Sequence, residues 1–65
     1  MSFEQDIFPQ QVKDLRKYLK ISQKDLAHAL GVSFATVNRW ENGKTAPSRL
    51  ALNQFKSFYD QNVMA

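Results

Sequence analysis

The stretch SQKDLAHALGVSFATVNRWENGK, Ser22–Lys44, decides how this chain folds. It holds both glycines of the sequence, Gly31 and Gly43. Each follows apolar residues at helical spacing: Leu26, Ala27 and Leu30 before the first, Val37 and Trp40 before the second. Glycine adopts a positive φ without strain, so both read as the residue just past a helix C-terminus. Ser22 and Ser33 stand ahead of the two segments, where a hydroxyl can accept from a free first-turn N–H. Asn42-Gly43 ends a helical pattern, since no alternating apolar residues flank it as they would a hairpin. Two helices are predicted, over about 23–30 and 34–42.

Only Gly31-Val32-Ser33 separates them, and so short a turn forces a sharp angle. Ala27 falls where the helices would cross, and its small side chain lets the backbones approach. Val32 fills the turn, and Val37 and Trp40 pack behind it. This is a helix-turn-helix arrangement, whose second helix projects outward and suits the major groove of DNA.

Two further helices flank the pair. Pro9 suits a first helical position, and Phe8 before it is pushed out of the α region. A helix over about 9–19 then carries the apolar stripe Val12, Leu15 and Leu19. Lys13, Lys17 and Lys20 read as its solvated face. Pro47 starts a fourth segment, about 47–60, striped by Ala51, Leu52, Phe55, Phe58 and Tyr59. The fold class expected is all-α, a compact bundle of about four short helices containing a helix-turn-helix. Residues 1–8 read as an N-terminal arm and 9–62 as one domain, with the helix-turn-helix over about 23–42. No linker, repeat or low-complexity segment is visible.

Composition narrows the chemistry. Sixty-five residues suffice for one domain, and folding at this size removes only roughly 60% of the unfolded chain's surface from water. There is no cysteine and only one histidine, His28, so neither a disulfide framework nor a zinc finger can be built. The lack of cysteine fits a reducing cytoplasm, the expected location. No apolar run approaches the ~20 residues of a membrane span, and MSFEQDIF lacks the regions of a signal peptide. The formal charge of +3 leans toward a polyanionic partner. An enzyme needs a concave pocket and a coupled acid–base or nucleophile set. His28 has no evident partner and the six carboxylates show no paired spacing. No catalysis, cofactor, metal, membrane or small-molecule substrate is expected.

The stretch SQKDLAHALGVSFATVNRWENGKTAPS resembles the phage repressor/Cro-like helix-turn-helix family. The likeness runs from about Val12 to Leu52 and is strongest in SQxxLAxxLGVS and WENGKxxP. The resemblance implies that the third helix reads bases, while the start of the second helix and the loop after the third grip phosphate. It also implies a lambda repressor-like arrangement of the helices and a pairing of Arg16 with Glu41. Many members have a fifth helix that builds a dimer interface, and here four are predicted.

The residue chemistry leads to the same face. Ala35, Asn38, Arg39 and Asn42 lie opposite Val37 and Trp40, with no carboxylate among them. Asparagine pairs with the N6/N7 edge of adenine and arginine with O6/N7 of guanine. Asn38 and Arg39 are the expected base readers, with Phe34 and Ala35 near the leading end. Gln23 and Ser33 at helix starts, and Asn42, Lys44, Thr45 and Arg49 beyond the third helix, are the expected phosphate contacts. The partner expected is double-stranded DNA. One such domain covers a short half-site, so a homodimer, tandem sites or a larger assembly is expected to supply the rest. The alternative is a protein-interaction module on the same scaffold, antitoxin-like or an accessory subunit of a DNA-modifying complex. The exposed aromatics expected there, Phe58 or Tyr59, would serve that role.

Overall fold

A computed structural model describes residues 7–64, with the side chain of Met64 excluded. Among them are four α-helices: α1 (Phe8–Leu19), α2 (Gln23–Leu30), α3 (Phe34–Glu41) and α4 (Arg49–Tyr59). A π-helical turn, Asp60–Met64, continues α4. The described residues contain no strand. The all-α bundle expected from the sequence is the fold observed.

α2 and α3 begin at the expected serines. The Ser22 hydroxyl accepts from the Asp25 amide at 3.0 Å, and the Asp25 carboxylate accepts from the Ser22 amide at 3.3 Å. This reciprocal pair is a capping box. Ser33 caps α3 by accepting from the Thr36 amide at 3.1 Å. Both helices close on glycine, with φ of 71° at Gly31 and 69° at Gly43. After α2, Gly31 and Val32 donate to the carbonyls of His28 and Ala27; after α3, Gly43 and Lys44 donate to those of Trp40 and Arg39. These double closures are Schellman motifs. α3 stops at Glu41, with Asn42 as its C-cap rather than its last residue.

α1 and α4 depart from expectation at their starts. Phe8 is the first residue of α1, not an extended residue ahead of it. The bias against α geometry before proline is overcome by burial: Phe8 is 1% exposed. Its ring meets Trp40 edge-on at 5.5 Å and Phe55 at 5.0 Å. Pro9 occupies the second helical position, where its missing N–H has no acceptor in the helix to lose. Of the arm expected over 1–8, residues 1–6 lie outside the described residues. α4 begins at Arg49, capped by Ser48, whose hydroxyl accepts from the Ala51 amide at 3.1 Å. Pro47 therefore precedes the helix instead of opening it. α1 ends at Lys20 in the left-handed region, φ 58°, a place usually taken by glycine.

The core is Phe8, Val12, Leu15, Leu26, Ala27, Leu30, Val37, Trp40 and Phe55. α3 packs on both α1 and α2, and α2 also meets α4. Phe8 is the piece that ties α3 to α4. Phe58 and Tyr59 are half-buried against this core, not exposed. Tyr59 stacks at a tilt on Phe55, with ring centres 6.4 Å apart. The exposed large apolar residues are instead Ile7, Tyr18, Phe34 and Leu50. Lys13 is partly buried, so the lysines of α1 do not form one uniformly solvated face.

Candidate nucleic-acid interface

The outward face of α3 follows from which residues its inner face needs. Val37, Trp40 and Glu41 are buried, and helical geometry then turns Ala35, Asn38, Arg39 and Asn42 outward. Phe34, Ala35, Arg39 and Asn42 are exposed and Asn38 is half-buried. The carboxylate of Glu41 is turned away, with the residue only 5% exposed. The face therefore carries a guanidinium, amides, a methyl and an aromatic ring, and no anion.

Glu41 faces Arg16 of α1. Arg16 Nε donates to Glu41 Oε2 at 2.5 Å and Nη2 donates to Oε1 at 2.9 Å. Its third nitrogen, Nη1, donates to the Ile21 carbonyl at 3.2 Å. A planar fork on a carboxylate with two parallel bonds is the strong form of ion pair. Burial by itself would push the Glu41 carboxyl up. Hydrogen bonds from Arg16 and Gln23, with the charges of Arg16 and Lys13, outweigh it and hold the group below its ordinary value. The hydrogen bond to Glu41 raises the Arg16 guanidinium, against the opposing effect of burial. The pair joins α1 to α3 and fixes the tilt at which α3 is presented.

Gln23 does more than stand at the start of α2. Its side-chain oxygen accepts from Asn38 Nδ2 at 3.2 Å. The Asn38 oxygen in turn accepts from Asn42 Nδ2 at 3.1 Å. The sequence picks out each of these residues but not their connection. Gln23 and Asn38 are fifteen positions apart and meet only because the turn folds α3 across α2. Helical spacing could have suggested the Asn38–Asn42 step, since residues four apart share a face.

The other expected site residues fall as follows. Lys44, Thr45 and Arg49 are exposed around the start of α4. The Lys44 amide donates to the Arg39 carbonyl at 3.0 Å, so its backbone is engaged and the side chain is what it offers. Ser33 is exposed, but its hydroxyl is taken up by the Thr36 amide and lies 2.8 Å from the Thr36 hydroxyl. In the first turn of α2, helix geometry gives the Gln23 and Lys24 amides no intrahelical acceptor. No group of residues suited to a metal ion occurs among the described residues. None of the described helices is long and apolar enough to cross a membrane.

A tight turn, an outward second helix and a polar, anion-free face define a helix-turn-helix domain of the DNA-binding kind. Residues 12–54 match the helix-turn-helix family, and the chain belongs to it, in its lambda repressor/Cro-like form. This is a family of DNA-binding domains and not of catalytic ones. Fifty residues, 72% of this chain, are 42% identical to part of the type II methyltransferase M1.ScrFI of Lactococcus lactis subsp. cremoris. The matched stretch is 13% of that protein's length. No solved structure matches the chain significantly.

Proposed function

We propose that this chain binds double-stranded DNA sequence-specifically, with α3 in the major groove, and acts in transcription regulation as a repressor-type module. The observation that carries the reading is the outward face of α3: it carries no carboxylate, and the one carboxylate of α3, Glu41, is buried in an ion pair with Arg16. A surface with no ligand to meet has no reason to exclude anions, whereas phosphate repels them. Arg39 and Asn38 are the base readers in this reading, with Phe34 and Ala35 at the leading end against a thymine methyl. Gln23, Ser33, Asn42, Lys44, Thr45 and Arg49 ring them as phosphate contacts. Arg49 supports this role, since a cation in the first turn of α4 gains nothing from the helix dipole. Two copies or a larger partner supply the remaining base pairs of a usable site.

The test is selection from random duplexes, followed by titration of the selected site. Arg39→Ala should weaken that site by ~1–3 kcal/mol and relax one base position. Lys44→Ala should weaken all duplexes alike and lower the salt slope by about one unit. Equal losses on selected and scrambled DNA would reduce Arg39 to a phosphate contact. Failure to select any sequence would reject the reading.

The likeness to a type II methyltransferase supports a second arrangement, in which the same module is joined to or works beside a modification enzyme. A cleft of about 200 Å³, lined by Gln11, Leu15, Tyr18, Tyr59 and Val63, shares no residue with the α3 face. Tyr18, 64% exposed at its edge, would let a protein partner dock while DNA is held. Pull-down of a methyltransferase by the DNA-bound chain tests this arrangement.

A further inference from the structure

The outward face of α3 begins in an apolar pair. Phe34 is 54% exposed and belongs neither to the core nor to the half-buried residues packed on it. Ala35 beside it is exposed as well. The two hydroxyls next to them are turned onto each other: Ser33 Oγ lies 2.8 Å from Thr36 Oγ1 and accepts from the Thr36 amide. Neither Phe34 nor Ala35 has a side-chain donor or acceptor, so their side chains read no base edge by hydrogen bonds. Residues four apart share a helix face, so Asn38 and Arg39 stand one turn further on. Four residues are about 6 Å of helix, whereas stacked base pairs lie about 3.4 Å apart. The apolar pair therefore meets a different base pair from the one the polar pair reads.

On the floor of the major groove the apolar group is the C5 methyl of thymine; the other groups that mark a base edge are donors and acceptors. The same methyl stands at the same place on 5-methylcytosine and is missing from cytosine. We infer that Phe34 is a methyl reader, with the small Ala35 letting the groove floor close on it: affinity for a site depends on C5 methylation of the pyrimidine that faces Phe34. 5-Methylcytosine there is bound as thymine is, and unmethylated cytosine is bound less tightly. The inference deepens the DNA-reading role proposed above and rests on it. Its physical content is burial. An exposed ring and a methyl on the groove floor both leave water when they touch, and the contact strands no polar group. One methyl group on this basis is worth about fourfold in affinity. A duplex modified at cytosine C5 is therefore held more tightly than its unmodified form, and the chain responds to the modification state of its own site.

The probe is the selected duplex with its thymines changed to deoxyuridine one at a time, which removes the methyl and keeps the O4 acceptor. One or two of these changes should lower wild-type affinity about fourfold. In Phe34→Ala the same changes should matter by less than about twofold, because the ring that covered the methyl is gone. Phe34 lies outside the core, so the variant should fold, and thermal unfolding checks that it does. A second duplex carries cytosine at the sensitive position, paired with guanine, with and without a C5 methyl. Methylation should raise wild-type affinity about fourfold and leave Phe34→Ala within about twofold. A selected site indifferent to every thymine methyl overturns the inference. So does methyl dependence that survives undiminished in Phe34→Ala, or a cytosine duplex on which methylation has no effect or weakens binding. If no duplex is preferred, the DNA-reading role fails and the inference falls with it. A preferred duplex without methyl dependence removes the inference alone.

Discussion

The α2–α3 pair and the start of α1 are held in place by different means. α2 and α3 each begin on a serine hydroxyl and close near a glycine with positive φ. Their boundaries are written in residues next to them in sequence. α1 begins with no side-chain cap at all; Ile7 precedes it without such a bond. Its first turn is held because Phe8 is driven between Trp40 and Phe55. Local chemistry sets the starts of α2, α3 and α4, whereas long-range packing holds the start of α1. The distinction suits a DNA-reading element, whose few exposed side chains must stand at set angles whatever surrounds them.

Deleting the long-range contact should produce the largest effect. Phe8→Ala removes the ring shared by α3 and α4, and should cost ~3–5 kcal/mol in denaturant unfolding. If the loss is below about 1 kcal/mol, the start of α1 is less dependent on packing than its geometry implies.

Arg16→Ala comes next. It strands the Glu41 carboxylate, 5% exposed, without its guanidinium. A loss of about 3 kcal/mol is expected, well above the ~0–1 kcal/mol of a surface pair. The folded Glu41 carboxyl lies below its ordinary value. Its contribution to stability is therefore complete above the unfolded carboxylate pKa and is lost as pH falls through the lower folded value. Acid titration of stability should show this loss in the wild type. A double-mutant cycle with Glu41→Gln measures the coupling, and zero coupling would return Arg16 to the ranks of surface charges.

The smallest effects test the local signals. Gly31→Ala meets no atom within 4 Å of its new Cβ, so only the strain of φ 71° acts. That strain should cost ~1–2 kcal/mol. Ser48→Ala removes the cap of α4 and should cost ~1 kcal/mol. Thermal unfolding of the two variants tests whether short-range signals carry comparable weight at the end of α2 and the start of α4.

Ser48 also explains one misplaced boundary. Pro47 and Ser48 compete to define the start of α4. A proline is compatible with an early helical position, but a serine hydroxyl satisfies an amide that would otherwise lack a partner, and the helix starts after it. The α2–α3 boundaries were readable because no rival signal stands beside Ser22, Ser33, Gly31 or Gly43. Phe8 was not readable as core, since its neighbour Pro9 argues for extended backbone and nothing nearby announces Trp40 or Phe55. The π-helical turn after Tyr59 has no recognisable local signature in DQNVM.

The candidate site divides in the same way. Its membership is a matter of helical phase: once Val37 and Trp40 face inward, Ala35, Asn38, Arg39 and Asn42 must face outward, and the sequence alone determines that. It also determines the tight turn, the two caps and the absence of an anion on the face. Only the tertiary structure decided that Gln23 accepts from Asn38, that Lys44 has its amide engaged by Arg39, and that Phe8 locks α3 to α4. Those facts depend on how far apart groups lie after helices cross. Spacing along one helix fixes the angle of a side chain about its own axis, whereas contact between helices is fixed by the packing of all their side chains together.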